Sequence, residues 1–213
     1  MSKLTHALNR IVSWLEKHPS EKYASVDVLQ PGLNYEEIER RVADLPFKLP
    51  EEVYELYQWR NGTCDVEEER AQFFNSLTFL SLEAALDKYY ELLEEAQELA
   101  EESSYDDDED YIYDNPEDYW DEMWFSLFSS MFIDERCFYL VEGDIEGKIN
   151  PTIFYSDEYI IFKEFNNLTN MMLTIAECYE TGAFYFDDYG YLTNSYYKQE
   201  SIGQKYNPGT INF

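Results

Sequence analysis

The sequence predicts an α+β fold, a single antiparallel sheet with helices packed against it, and three observations point there. Apolar residues recur at helical spacing through most of the first hundred positions. From Phe125 to Phe165 the pattern changes to short aromatic and aliphatic runs separated by brief turns, too short for the crossovers that parallel strands need. The aromatic load is high, 18% with 20 Tyr and 14 Phe, and such side chains suit a half-buried pleated surface. With 213 residues, 45% of them hydrophobic, the chain is long enough to bury one core.

The elements follow in order. Ser2 can cap a first helix carrying Leu4, Leu8, Ile11, Trp14 and Leu15 on one face, which His18-Pro19 ends. Residues 20 to 33 form a connection closing in Gln30-Pro31-Gly32. Asn34 and Glu37 have the spacing of a capping box and start a second helix, with Ile38, Val42 and Leu45 inward and a stop at Pro46. Phe47-Lys48-Leu49, bracketed by Pro46 and Pro50, is a rigid link into a third helix. There Pro50 sits in the first turn, Glu51 and Glu52 face the positive end of the dipole, and Val53, Leu56 and Tyr57 make one buried stripe. Asn61-Gly62 then stops the helix, glycine taking the left-handed C′ position.

An acidic loop with Glu67, Glu68 and Glu69 leads to a strand over Phe73–Leu80. Ser81 caps the longest helix, Leu82 to Glu102, with Leu82, Ala85, Leu86, Tyr89, Leu92, Leu93, Ala96 and Leu99 on its apolar face and acids on the other. Strands are expected at Phe125–Ser130, Cys137–Val141, Thr152–Tyr155 and Tyr159–Phe165. Asn167 caps a helix with Leu168, Met171, Met172, Ile175 and Tyr179 inward, ended by Gly182. Phe184-Tyr185-Phe186 and Tyr189-Gly190-Tyr191 form a small hairpin turning at Asp187-Asp188. From Tyr196 the chain is expected to be a polar, irregular tail. The expected organisation is an N-terminal helix and connection over 1–30, an α+β domain over 31–195 containing an acidic loop at about 103–118, and a tail over 196–213.

Leu49, Pro50, Leu56, Tyr57, Asn61 and Gly62, with Trp59 between them, resemble the signature of the SUKH superfamily, which includes the Knr/Smi-type cell-wall regulators and many bacterial immunity proteins. The likeness continues through Phe79-Leu80-Ser81-Leu82-Glu83-Ala84-Ala85 and the strand-rich segment, over roughly residues 31 to 190. It implies a SUKH-like α+β fold and a non-enzymatic protein-binding role, either an immunity protein that occludes a cognate toxin or a regulatory scaffold. The residues of the signature itself are accounted for by capping and packing.

Charge decides which partners suit the chain. Fifteen Lys plus Arg against 45 Asp plus Glu leave a formal net charge of −30. Phosphate backbones and anionic membrane surfaces are repelled by such a field, so nucleic acid and membrane are poor partners. A basic protein, such as a toxin, or a divalent cation is the natural counterpart. Cys64, Cys137 and Cys178 are widely spaced and match no zinc or redox motif, which suits free thiols in a cytoplasmic protein. His6 and His18 lie near the N-terminus, so no histidine-centred site is expected in the main domain, and no phosphate loop, dinucleotide fingerprint or nucleophile elbow is present. No cofactor is expected.

The candidate partner surface is the acidic run. Between Lys88 and Arg136 the sequence has no Lys or Arg, and within that span Tyr105, Asp106, Asp107, Asp108, Glu109, Asp110, Tyr111 and Tyr113 interleave carboxylates with aromatic rings. That combination suits Lys and Arg through ion pairs and cation–π contacts. Trp59, beside Arg60, is the signature residue able to reach a partner. The alternative is calcium. Asp106, Asp108, Asp110, Asp114 and Glu117 fall at positions 1, 3, 5, 9 and 12 of an EF-hand-type loop. Against that, Tyr111 stands where the loop needs glycine, Pro116 precedes the last ligand, and alternating Asp arises readily in so acidic a segment. A pair of carboxylates performing glycosidase-type chemistry is a further alternative that sequence does not localise.

Overall fold

A computed structural model describes residues 1–20, 25–64, 72–73, 77–103, 115–116, 119–130, 137–144, 153–157 and 160–210. Six α-helices are present among them: α1 (Lys3–Lys17), α2 (Tyr35–Arg41), α3 (Glu51–Trp59), α4 (Leu82–Ser103), α5 (Leu168–Glu180) and α6 (Tyr196–Tyr206). The strands are β1 (Leu29–Pro31), β2 (Arg60–Thr63), β3 (Leu77–Phe79), β4 (Trp124–Ser130), β5 (Cys137–Glu142), β6 (Ile153–Asp157), β7 (Ile160–Phe165), β8 (Phe184–Phe186) and β9 (Leu192–Asn194). The class is α+β as expected, but the strands form three sheets and not one. β3 to β7 make a five-stranded antiparallel meander in sequence order, while β1 pairs with β2 and β8 with β9 in separate two-stranded sheets. The β1–β2 ladder joins segments some thirty residues apart, and neither strand is long enough to show alternation in the sequence.

The meander and α4 share the core. A bulge between Ser126 and Phe128 in β4 admits Leu127, so that Phe125 and Phe128, three residues apart, both face inward. Phe128 meets Phe79 at a ring separation of 5.4 Å, and Phe125 meets Tyr89 of α4 at 6.3 Å. Tyr89 is buried, and its hydroxyl donates to the Glu122 carbonyl at 2.9 Å. Beyond it, Ala96, Trp120 and Leu140 form a second, smaller cluster.

α1 lies across α5 and α3. Ser2 accepts from the Thr5 amide as the expected cap, and Leu4, Ala7, Leu8, Ile11 and Leu15 are buried. The hydroxyls of Ser2 and Thr5 both donate to Glu55 of α3, and the Arg10 guanidinium pairs with Glu180 of α5. α2 has the complete capping box between Asn34 and Glu37, but it ends at Arg41, before the expected stop at Pro46. A turn closed by the Leu45 amide on the Val42 carbonyl (3.1 Å) still directs Val42 and Leu45 inward.

Three further expectations are corrected. Asn61-Gly62 is not a helix C′ stop. Arg60 already has extended backbone (φ −153°, ψ 145°), so α3 passes directly into β2, and Gly62 (φ +72°) lies within that strand. Residues 29 to 31 are paired strand and not merely connection. Most substantially, an eleven-residue helix, α6, stands where an irregular tail is expected. It is fastened to α5 largely by polar contacts: Lys205 and Tyr206 reach Glu177, and Asn207 bonds Thr174 and the Asn166 amide.

Candidate functional site

The signature stretch is a joint. Leu49 and Pro50 are buried at the entry to α3, and Leu56 and Tyr57 are buried on its inner face. Asn61 is 6% exposed, and its side-chain oxygen accepts from the Leu82 amide at 2.9 Å, satisfying an orphan donor in the first turn of α4. Ser81 supplies the expected second cap, accepting from the Ala84 amide at 3.1 Å. Gly62 allows this docking. A Cβ there would lie 2.3 Å from the Ser81 nitrogen and 2.6 Å from the Leu80 carbonyl carbon. Asn and Gly at this spacing therefore lock β2 against the start of the longest helix.

Glu52, also on α3, does for α5 what Asn61 does for α4. Its carboxylate accepts from the Leu168 amide at 3.1 Å and from the Thr169 hydroxyl, beside the Asn167 cap. Burial raises the Glu52 carboxyl above its ordinary range, and those hydrogen bonds offset part of the effect.

The same helix presents its outer side to a groove of about 770 Å³, bounded by α2, the 42–49 link and α3. The link is seated by a pair of backbone hydrogen bonds between Lys48 and Asp144 and by the Phe47 ring, which occupies space that a Cβ on Gly143 would fill. Tyr35 of α2 and Tyr54 of α3 stack at 5.2 Å with a 26° interplanar angle. The Tyr54 hydroxyl donates to Glu39, one helical turn beyond Tyr35. Burial first, and then the Glu39 carboxylate, push that phenol well above its ordinary value, so it stays protonated and acts as a donor. Tyr35 remains 51% exposed. Glu51 and Glu55 line the groove from α3, and Lys48 is the single Lys or Arg among the described residues that line it.

Such a surface offers carboxylate oxygens beside a half-exposed tyrosine ring. Among the described residues no group of His, Cys, Asp and Glu could hold a metal ion. His18 stacks on Trp14 at 4.1 Å, away from the groove. No described helix is long and apolar enough to cross a membrane.

Of the residues singled out from sequence, Trp59 is described. Its ring is partly buried, its indole N–H donates to Asn9 of α1 at 2.9 Å, and the Arg60 guanidinium lies 5.5 Å from the ring centre. Tyr105, Asp106, Asp107, Asp108, Glu109, Asp110, Tyr111 and Tyr113 lie outside the described residues, as do Asp114 and Glu117 of the calcium alternative. Sequence reasoning passed over Tyr35, Glu39 and Tyr54. The available signal was an aromatic and an acid four apart on the polar side of α2, one face by helical spacing.

The fold and groove define an α+β module whose accessible chemistry is carboxylate and tyrosine. The chain belongs to the SMI1/KNR4 family (SUKH-1), whose family model matches residues 32–174. That match takes in the groove, the Asn61-Gly62 joint and the meander, and ends inside α5. It is narrower than the expected 31–190, leaving α1, the β8–β9 hairpin and α6 outside. No match was found among curated proteins.

Proposed function

We propose that the chain is a non-catalytic protein-binding module of the immunity or regulatory kind, and that its partner is a basic protein. The observation carrying this reading is the Tyr35–Tyr54 stack with Glu39 on the wall of an open groove, within the part of the chain that the family model covers. A guanidinium laid on the exposed face of Tyr35 gains a cation–π contact and finds Glu39 and Glu51 as counter-charges. Because Tyr54 is already anchored to Glu39 and packed against Tyr35, little side-chain freedom is lost on binding. A net charge of −30 adds long-range attraction that speeds encounter with a cationic partner. A basic toxin occluded by this surface gives the immunity role, and a basic client held by it gives the scaffold role. The acidic, tyrosine-bearing run at 103–118 is proposed as additional partner surface, as is Trp59 at the C-terminal end of α3.

The test is co-purification of the tagged, full-length chain from its own cells at low salt. A specific basic protein should be retained, released at high salt, and lost or weakened with Glu39→Gln and Tyr35→Ala. Recovery of no basic partner even at low salt overturns the proposal.

A further inference from the structure

Asn61-Gly62 is the single Asn-Gly pair in the chain, and it carries a chemistry of its own. Glycine has no Cβ to shield its nitrogen, so the Gly62 nitrogen is the backbone nitrogen best suited to attack the side-chain amide of the asparagine before it. The new N–Cγ bond closes a cyclic imide, the Cγ–Nδ2 bond breaks, and ammonia leaves with the proton of the Gly62 amide. Water then opens either carbonyl of the ring, giving aspartate or isoaspartate.

The fold holds both reactants apart. Asn61 is buried, its Oδ1 accepts from the Leu82 amide at 2.9 Å, and its Nδ2 lies 3.5 Å from Glu83, whose other carboxylate oxygen pairs with Arg41. Turning Cγ back onto Gly62 abandons the Leu82 amide and leaves a buried donor unsatisfied, the costly way to break a hydrogen bond. Gly62 is pressed against Leu80 and Ser81 too closely for a Cβ to fit. Thr63, next along β2, donates its hydroxyl to the Phe79 carbonyl at 3.2 Å. β2 must therefore leave α4 before the ring can close. Asn194-Ser195, at the end of β9, is the opposite case: Asn194 is exposed, and its side chain bonds Gln199.

We propose that Asn61-Gly62 is a latent self-modification site gated by the β2–α4 joint, so that a chain which opens there for long enough is marked irreversibly. The reaction needs water and no other partner. Neither product restores the joint. Aspartate at this position sets a buried carboxylate beside Glu83 in place of an amide donor. Isoaspartate lengthens the main chain by one carbon ahead of Gly62, where the approach to Ser81 has no slack. The joint thus acts as a one-way fuse inside the family-matched region, turning a reversible opening into permanent loss of the contact that seats the longest helix. The chemistry is independent of the groove and of any protein partner.

Peptide mapping by mass spectrometry tests this on the full chain, following deamidation at Asn61 and Asn194 over time at mildly alkaline pH, both folded and in guanidinium chloride. In the unfolded chain Asn61 should react faster than Asn194, because glycine follows it. In the folded chain the order should reverse, with Asn61 slowed about a hundredfold or more against its unfolded rate. Thr63→Ala keeps Asn61-Gly62 and removes the tie to the Phe79 carbonyl. It should speed Asn61 in the folded chain about fivefold and leave Asn194 unchanged. Chains carrying isoaspartate in place of Asn61, isolated after reaction and returned to native buffer, should unfold at lower denaturant concentration than unmodified chains treated alike. Asn61 reacting at its unfolded rate in the folded chain overturns the proposal, as does equal denaturant resistance of the modified chains, and both measurements use the parent sequence alone. A Thr63→Ala variant that folds yet leaves the Asn61 rate unchanged overturns it too.

Discussion

Gly62 and Gly182 form a matched pair that isolates the energetics of the β2–α4 joint. Both have positive φ, +72° and +68°, so an alanine at either position bears a similar left-handed backbone cost of about 1–2 kcal/mol. They differ in what a Cβ would meet. At Gly182 there is nothing within 4 Å, whereas at Gly62 the new carbon falls 2.3 Å from the Ser81 nitrogen and 2.6 Å from the Leu80 carbonyl carbon. These are backbone atoms at the start of α4, held there by the Asn61 cap on Leu82, and they have no rotamer with which to yield. Overpacking a well-packed site adds about 1–3 kcal/mol. Gly182→Ala is therefore expected to destabilise by about 1–2 kcal/mol and Gly62→Ala by about 2–5 kcal/mol. Equilibrium urea unfolding of both variants beside the parent measures this, provided the slope with denaturant is unchanged. Equal losses would refute the reasoning, because they would mean that Gly62 serves only its own backbone angle, as a helix stop would.

Three other outcomes follow from the same structure. Glu177 is held below its ordinary carboxyl value by hydrogen bonds from Lys205 and Tyr206, so its contribution is present above pH 4.5 and is lost as pH falls through the lowered value; Glu177→Gln should cost stability at pH 7 and progressively less as the pH is lowered through that value in urea titrations, and a constant difference would contradict this. The Tyr57 hydroxyl is buried with no hydrogen-bond partner among the described residues, so Tyr57→Phe should be neutral or stabilising by about 1 kcal/mol in thermal unfolding, and a clear loss would reveal a partner for that hydroxyl. Calorimetric titration with Ca²⁺ should give weak, non-saturating heats, and a saturable site at micromolar to millimolar calcium would shift the function to Asp106, Asp108, Asp110, Asp114 and Glu117.

Much of the fold is legible where one residue type has one physical use. Ser2, Asn34, Ser81 and Asn167 all cap the helices that they precede, because a short polar side chain ahead of an apolar stripe has few other uses. The meander is legible because short aromatic and aliphatic runs follow one another in the sequence with too few residues between them for crossovers. Gly62 was misread because Asn-Gly after a helix describes both a C′ stop and a strand in close backbone contact, and the difference lies in Ser81, nineteen residues away in sequence. α6 was hidden because little of it is apolar: Ile202 and Gly203 are its buried residues, and its attachment is through Lys205, Tyr206 and Asn207, which leave no stripe to read. The groove was illegible for a related reason. Tyr35, Glu39 and Tyr54 belong to two helices, and their meeting depends on how the 42–49 link seats against Asp144 and Gly143.

The central claim is that the tyrosine–carboxylate groove between α2 and α3 receives a basic protein. Its most direct measurement is the affinity of the co-purified partner for the parent chain and for Tyr35→Ala and Glu39→Gln, each at two salt concentrations. Loss of Glu39 as a counter-charge should weaken binding about tenfold or more at low salt and less at high salt, and loss of the Tyr35 ring should weaken it at both. Unchanged affinity in both variants would contradict the claim and place the partner elsewhere on the molecule.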